Sequence, residues 1–128
     1  MYSGILNNKK GAALLYVVLV IFIVITMSGI ILNMLTYEIK VNKITEEDLR
    51  AKYLAEAGVE QAMLEVGRKN NVIVYDNDGN ALYQYSVALS GGIIKIEAYG
   101  YINNAKRIKI NCEIKDDTIS KWEETRLK

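Results

Sequence analysis

Few residues in this 128-residue chain have the types and spacing that chemistry requires. The run Asp76-Asn77-Asp78-Gly79-Asn80 places oxygen donors on alternate residues, as calcium loops do. An EF-hand needs glycine at its sixth position and a bidentate Glu at its twelfth. Counted from Asp76, the glycine falls fourth and the twelfth residue is Val87, which excludes an EF-hand. A looser calcium loop and a solvated hairpin turn are the two remaining readings. Cys112, between Ile110 and Ile114 on an alternating strand pattern, reads as a buried small hydrophobe, with intermolecular pairing as the alternative. A single Cys allows no intramolecular disulfide and fits a reducing or anaerobic setting. Tyr75, Tyr83, Tyr85, Tyr99 and Tyr101 read either as ordinary strand packing or as an exposed aromatic docking patch. Arg68-Lys69 and Lys106-Arg107-Lys109 are basic groups that could meet phosphate.

The rest of the composition argues against catalysis. There is no His, so imidazole base chemistry and His-ligated metals are absent. No nucleophile has a visible base, and no acidic cluster has metal spacing. The chain is therefore expected to be no enzyme and to carry no cofactor. Sixteen Lys and Arg balance fifteen Asp and Glu for a formal net charge of +1, without the basic excess of a general nucleic-acid binder. Nucleic acid is thus an unexpected partner.

The elements that must position these residues divide the chain sharply. Residues 11–37 carry no charge, and 12–25 are apolar throughout. About 20 such residues cross the hydrocarbon of a bilayer. Thr26, Ser28 and Asn33 are short polar groups; hydroxyls of this kind can close on the helix backbone. Lys9 and Lys10 precede the run and no acid does, which predicts a cytoplasmic N-terminus and everything after Tyr37 outside. The run is nearly twice the length of a cleaved signal's apolar core and lacks a good small-residue cleavage site after it. A plain signal anchor stays open.

Beyond Tyr37 the helical signal continues. Proline is absent, and Ala51, Ala55, Gly58, Val59, Ala62 and Val66 form a stripe of mostly small residues at helical spacing. Small residues let a sheet approach closely. Gly67 followed by Arg68, Lys69, Asn70 and Asn71 reads as a helix stop. The period then changes to two. Residues 72–75, 82–89, 94–101 and 107–114 read as strands separated by turn clusters at 76–80, 90–92 and 103–104. Ile94, Ile96, Ala98 and Gly100 share one face, as do Ile108, Ile110, Cys112 and Ile114. Each strand thus has an apolar face and a wet face, the pattern of an antiparallel sheet covered on one side. Residues 116–128 read as a polar tail or a short edge segment. The expected class is α+β: a long N-terminal helix whose first half is membrane-embedded, with a small antiparallel sheet packed on its second half.

This arrangement resembles type IV pilins and pseudopilins. Lys9-Lys10-Gly11 followed by Ala12-Ala13-Leu14-Leu15 is similar to a prepilin peptidase site. The resemblance implies cleavage between Gly11 and Ala12 and N-methylation of Ala12. Tyr53-Leu54-Ala55-Glu56-Ala57-Gly58-Val59-Glu60 is similar to the helix segment of minor pilins and pilus-assembly proteins, and Ser120-Lys121-Trp122-Glu123-Glu124 to their tails. The likeness is specific over residues 8–66 and architectural over 72–115. It implies a leader at 1–11, a transmembrane and fibre-core helix at 12–37, an amphipathic continuation at 38–67 and a sheet domain with a polar tail at 68–128. Implied partners are the prepilin peptidase, other pilin subunits, and the inner-membrane assembly platform with its ATPase. Tyr16 stands where major pilins usually carry Glu, the fifth mature residue. It cannot neutralise a neighbour's terminal amine, and a buried unpaired charge is costly. The expectation is therefore a minor subunit, for assembly or the tip, in a type IV pilus or type II secretion-like filament. An unprocessed membrane scaffold and a tip adhesin or DNA-uptake pilin are the rivals.

Overall fold

The computed structural model describes the backbone of residues 3–67 and 70–128, with side chains from residue 9 onward outside that gap. Helix α1, Ser3–Leu64, is a single run of 62 residues. With no proline anywhere in the chain, no residue of the run lacks its amide donor. Of the polar residues inside its apolar part, Thr26 and Ser28 close on the helix backbone as expected, and Thr36 does the same. The hydroxyls of Thr26, Ser28 and Thr36 each donate to a carbonyl of the preceding turn, at 2.8 Å. Those hydroxyls therefore present no unmet donor to an apolar surrounding. From Lys9 onward α1 is long and apolar enough to cross a membrane.

The chain falls into two compact units that meet between Asn42 and Lys43. Among the described residues the first is helix alone, and its large apolar side chains from Leu14 to Tyr37 are exposed. The second combines helix residues 43–64 with a five-stranded antiparallel sheet. Its strands are β1 (Asn71–Tyr75), β2 (Ala81–Ser90), β3 (Ile93–Ile102), β4 (Ala105–Lys115) and β5 (Thr118–Arg126), side by side in chain order. Three of the four hairpins turn through two residues that both have positive φ: Gly91-Gly92, Asn103-Asn104 and Asp116-Asp117. That backbone matches the twist of the flanking strands, and Gly, Asn and Asp adopt it most readily. The Asp116-Asp117 turn decides what the sequence left open. Residues beyond it form a full edge strand rather than a tail.

Register places Tyr85, Ala98 and Ile110 in one row on the helix-facing side, with Val87, Ile96 and Cys112 in the next. All six are buried. From the helix, Ala51, Ala55, Gly58, Val59 and Ala62 are buried against them, as their spacing predicted. Val66 departs from that expectation. Helix α1 ends at Leu64, so Val66 lies in the turn at 65–67 and is only half-buried, while Met63 packs on the core. Gly67 closes the helix with φ +83°, the left-handed cap geometry.

Candidate functional site

In the first unit the residues of interest lie on bare helix. Gly11 has no neighbour within 4 Å of where a side chain would start, and Lys9, Lys10 and Ala12 are exposed beside it. The peptide bond after Gly11 is helical, and the expected leader is helical from Ser3. Tyr16 is 68% exposed on the same surface. This unit therefore offers a basic step, an unobstructed glycine and then an apolar surface. That surface is suited to lipid or to other helices.

In the second unit the helix is held to the sheet by more than the apolar stripe. Arg107 on β4 donates to Glu47 at 3.0 Å, Arg126 on β5 reaches Asp48 at 3.0 Å, and Lys52 reaches Glu124 on β5 at 3.2 Å. Two pairs set a helix acid against a sheet arginine, and the third reverses the signs. The hydrogen bond and charge of Glu124 raise the Lys52 pKa. Such half-exposed pairs each contribute little to stability, because solvent screens them. Their effect is on where the helix sits across β4 and β5.

Near the helix C-terminus, Tyr85 donates its hydroxyl to Glu65 at 2.6 Å from within the core. Burial, reinforced by the Glu65 carboxylate, pushes the Tyr85 pKa up to about 12. A phenol raised in the folded state stabilises the fold fully below its unfolded pKa of about 10. That stability is lost as pH rises from about 10 through 12. Alkaline titration by phenolate absorbance should find one tyrosine ionising only with unfolding. Tyr85→Phe should remove that step and flatten the loss of stability between pH 10 and 12.

The five sheet tyrosines do not form one patch. Tyr83 and Tyr85 face the helix, whereas Tyr99 pairs across from Gln84 on the outer side and Tyr101 donates to the Gln84 amide oxygen at 2.8 Å. Burial, with Tyr75 and Tyr99 nearby, raises the Tyr101 pKa. The basic group on β4 is likewise divided. Lys106 sits 4.2 Å over the Tyr99 ring, Arg107 is engaged by Glu47, and Lys109 pairs with Glu97 at 3.3 Å. Desolvation opposes the Lys109 charge, but Glu97 and Tyr99 outweigh it and raise the pKa. Arg68-Lys69, the other basic pair, lies outside the described residues.

The acidic loop is a turn built around one carboxylate. Asp76 Oδ1 accepts from the backbone amides of Asp78 and Asn80 at 2.9 and 2.8 Å, and Oδ2 accepts from the Asn80 side chain at 3.2 Å. Those bonds hold the Asp76 carboxyl below its ordinary range. They use three of the about four lone-pair sites of that carboxylate within the turn itself, which favours the hairpin-turn reading. Among the described residues, no three His, Cys, Asp or Glu side chains gather as a metal site. Cys112 is fully buried, and burial pushes its thiol pKa up, the opposite of a reactive thiolate.

What sequence reasoning missed is a close approach of helix and sheet backbones at Gly100. A side chain starting there would collide with the backbone carbonyl oxygen of Ala51, whose carbon would lie only 2.7 Å away. The sole signal was a glycine in the middle of an apolar strand face, which marks close backbone approach. Compared with known proteins, the chain matches no protein family, no curated protein and no solved structure.

Proposed function

We propose that the chain is a minor pilin or pseudopilin: a membrane-stored structural subunit that joins a type IV pilus or type II secretion-like filament. One observation carries this reading. Lys9, Lys10, Gly11 and Ala12 stand directly before an exposed apolar helix, and that same α1 continues as the support of a small antiparallel sheet. The cytoplasmic lysines orient the chain N-in, and the sheet unit lies outside. A prepilin peptidase removes residues 1–11, which carry two lysines and no acid, so the formal net charge passes from +1 to −1. Ala12 becomes the methylated N-terminus. The exposed apolar helix then trades lipid for the helices of other subunits. Lipid tails are as apolar as those helices, so the transfer needs little change in apolar burial. An assembly ATPase acting through the membrane platform can drive it.

The test is the N-terminus of the mature chain. Mass spectrometry of the membrane-extracted protein should find N-methyl-Ala12 and no residues 1–11. Gly11→Leu should leave the full-length precursor in the membrane. A wild-type chain that retains Met1 would instead identify an unprocessed anchor.

A further inference from the structure

We infer that a hollow at the end of the sheet, beside Arg50, is a binding site for a small phosphate-type oxyanion. The ladder between β2 and β3 ends at Tyr83 and Gly100, yet β2 starts at Ala81 and β3 runs to Ile102. Beyond that last pair the two strands part. A register break flanks the gap on each side. Tyr75 on β1 pairs with Ala81 and leaves Leu82 over, and Tyr101 pairs with Lys106 on β4 and leaves Arg107 over. Such bulges bend strands and recur beside functional sites. The gap is a hollow of about 230 Å³, lined by residues 80–82 and 101–103 and by Arg50 on α1. Liquid water takes about 30 Å³ per molecule, so the space holds a phosphate with part of its hydration.

The walls of the hollow are fastened together. Asn104 accepts the backbone amide of Ala81 through Oδ1 at 2.8 Å and donates through Nδ2 to Asn80 Oδ1 at 3.3 Å. That clasp joins the β1–β2 loop to the β3–β4 turn. Asp76 holds the other end of the Asn80 amide, at 3.2 Å. Walls fixed in advance lower the ordering cost of binding.

Charge and free donors select the ligand. Arg50 is the only charged residue that lines the hollow. Arg107 and Arg126 are engaged by helix acids, but among the described residues no carboxylate pairs with Arg50, although Glu46 lies one turn earlier on α1. The side-chain amide of Asn103 likewise has no hydrogen-bond partner among the described residues. A guanidinium is always charged, and its fork matches the oxygens of carboxylate and phosphate. The fork alone satisfies a planar carboxylate. A tetrahedral phosphate offers further oxygens to the second wall, where Asn103 stands. Asp76 opposes an anion only weakly, because its carboxylate does not line the hollow and accepts bonds within its own loop. The site does not depend on processing at Gly11.

The test titrates inorganic phosphate into the full-length chain in an uncharged detergent, with chloride at equal ionic strength as the control. Amide NMR should show the Asn103 side chain and the Ala81 and Leu82 backbone shifting saturably with millimolar phosphate and not with chloride. Arg50→Gln should weaken binding at least about tenfold, as loss of a charged hydrogen bond does. Arg50→Lys keeps the charge without the fork and should weaken it about threefold. Asn103→Gly suits the φ of +51° at that turn and should also weaken it about threefold. Arg50 is exposed, so Arg50→Gln should keep the wild-type urea midpoint, which separates lost binding from lost fold. The same shifts in phosphatidylglycerol nanodiscs without added phosphate would assign the anion to a lipid headgroup. Shifts with soluble phosphate alone would assign it to a free one. No saturable shift in either setting, equal shifts with chloride, or unchanged binding by Arg50→Gln would overturn the inference.

Discussion

Gly100→Ala should abolish the folded second unit. The new methyl has nowhere to go, because the obstacle is the Ala51 backbone rather than a movable side chain. Ordinary overpacking costs about 1–3 kcal/mol because neighbouring side chains yield. Here the helix itself must lift from the sheet, separating Ala51, Ala55, Val59 and Ala62 from Ile96, Ala98 and Ile110. The loss should exceed about 3 kcal/mol, a large share of the 5–15 kcal/mol that holds a typical domain together. Loss of the cooperative unfolding transition by circular dichroism would register it. Gly29→Ala is the control. It lies in α1 with nothing within 4 Å, so the exchange should favour the helix by about 0.5–1 kcal/mol. If Gly100→Ala melted like wild type, the helix would not lie as close to β3 as described.

Val59→Asp should be nearly as damaging for a different reason. Val59 is buried in the stripe of α1 that meets the sheet, among Val87, Ile96, Cys112 and other apolar groups. Among the described residues no buried side chain is charged, and the one buried hydroxyl, on Tyr85, is already given to Glu65, so the new carboxylate would find no strong partner. It must either be desolvated alone or take up a proton, at a cost of several kcal/mol in either case. Taking up the proton raises its pKa, so the penalty should shrink as pH falls toward 4 and grow toward 7. The same change at Leu64, on the same helix but 79% exposed, should shift stability by less than about 0.5 kcal/mol. Urea unfolding of both variants at pH 4.5 and 7 separates the effects. Equal midpoints would contradict the assigned helix face.

Both variants probe features that the sequence made visible to different degrees. The apolar run from residue 12, the stripe at Ala51, Ala55, Val59 and Ala62, and the alternation in β3 and β4 were legible because each has a period. A helix buries every third or fourth residue and a strand every second, so which side faces inward can be read before folding. The Gly91-Gly92 and Asn103-Asn104 turns were legible because few residues accept positive φ. Asp116-Asp117 uses the same backbone but was passed over, because acids also mark solvated tails. Val66 continued the helical period on paper, yet the helix had already stopped two residues earlier. Periodicity does not record where a chain must turn back.

By itself, the sequence determined a helix fit for a membrane, a second stretch with one face of small residues, and strands with one dry side. These follow from local rules: side-chain period, backbone preference and charge placement. Only the tertiary structure decided which tyrosines face the helix, which acids engage Arg107 and Arg126, and that Gly100 admits the Ala51 carbonyl. It also decided that the last nine-residue strand stands at an open edge with Lys121 and Glu123 on one side. Those facts depend on register between segments far apart in the chain. A shift of one residue would exchange the two faces of a strand. Register is set when the sheet closes on the helix, and no single segment carries it.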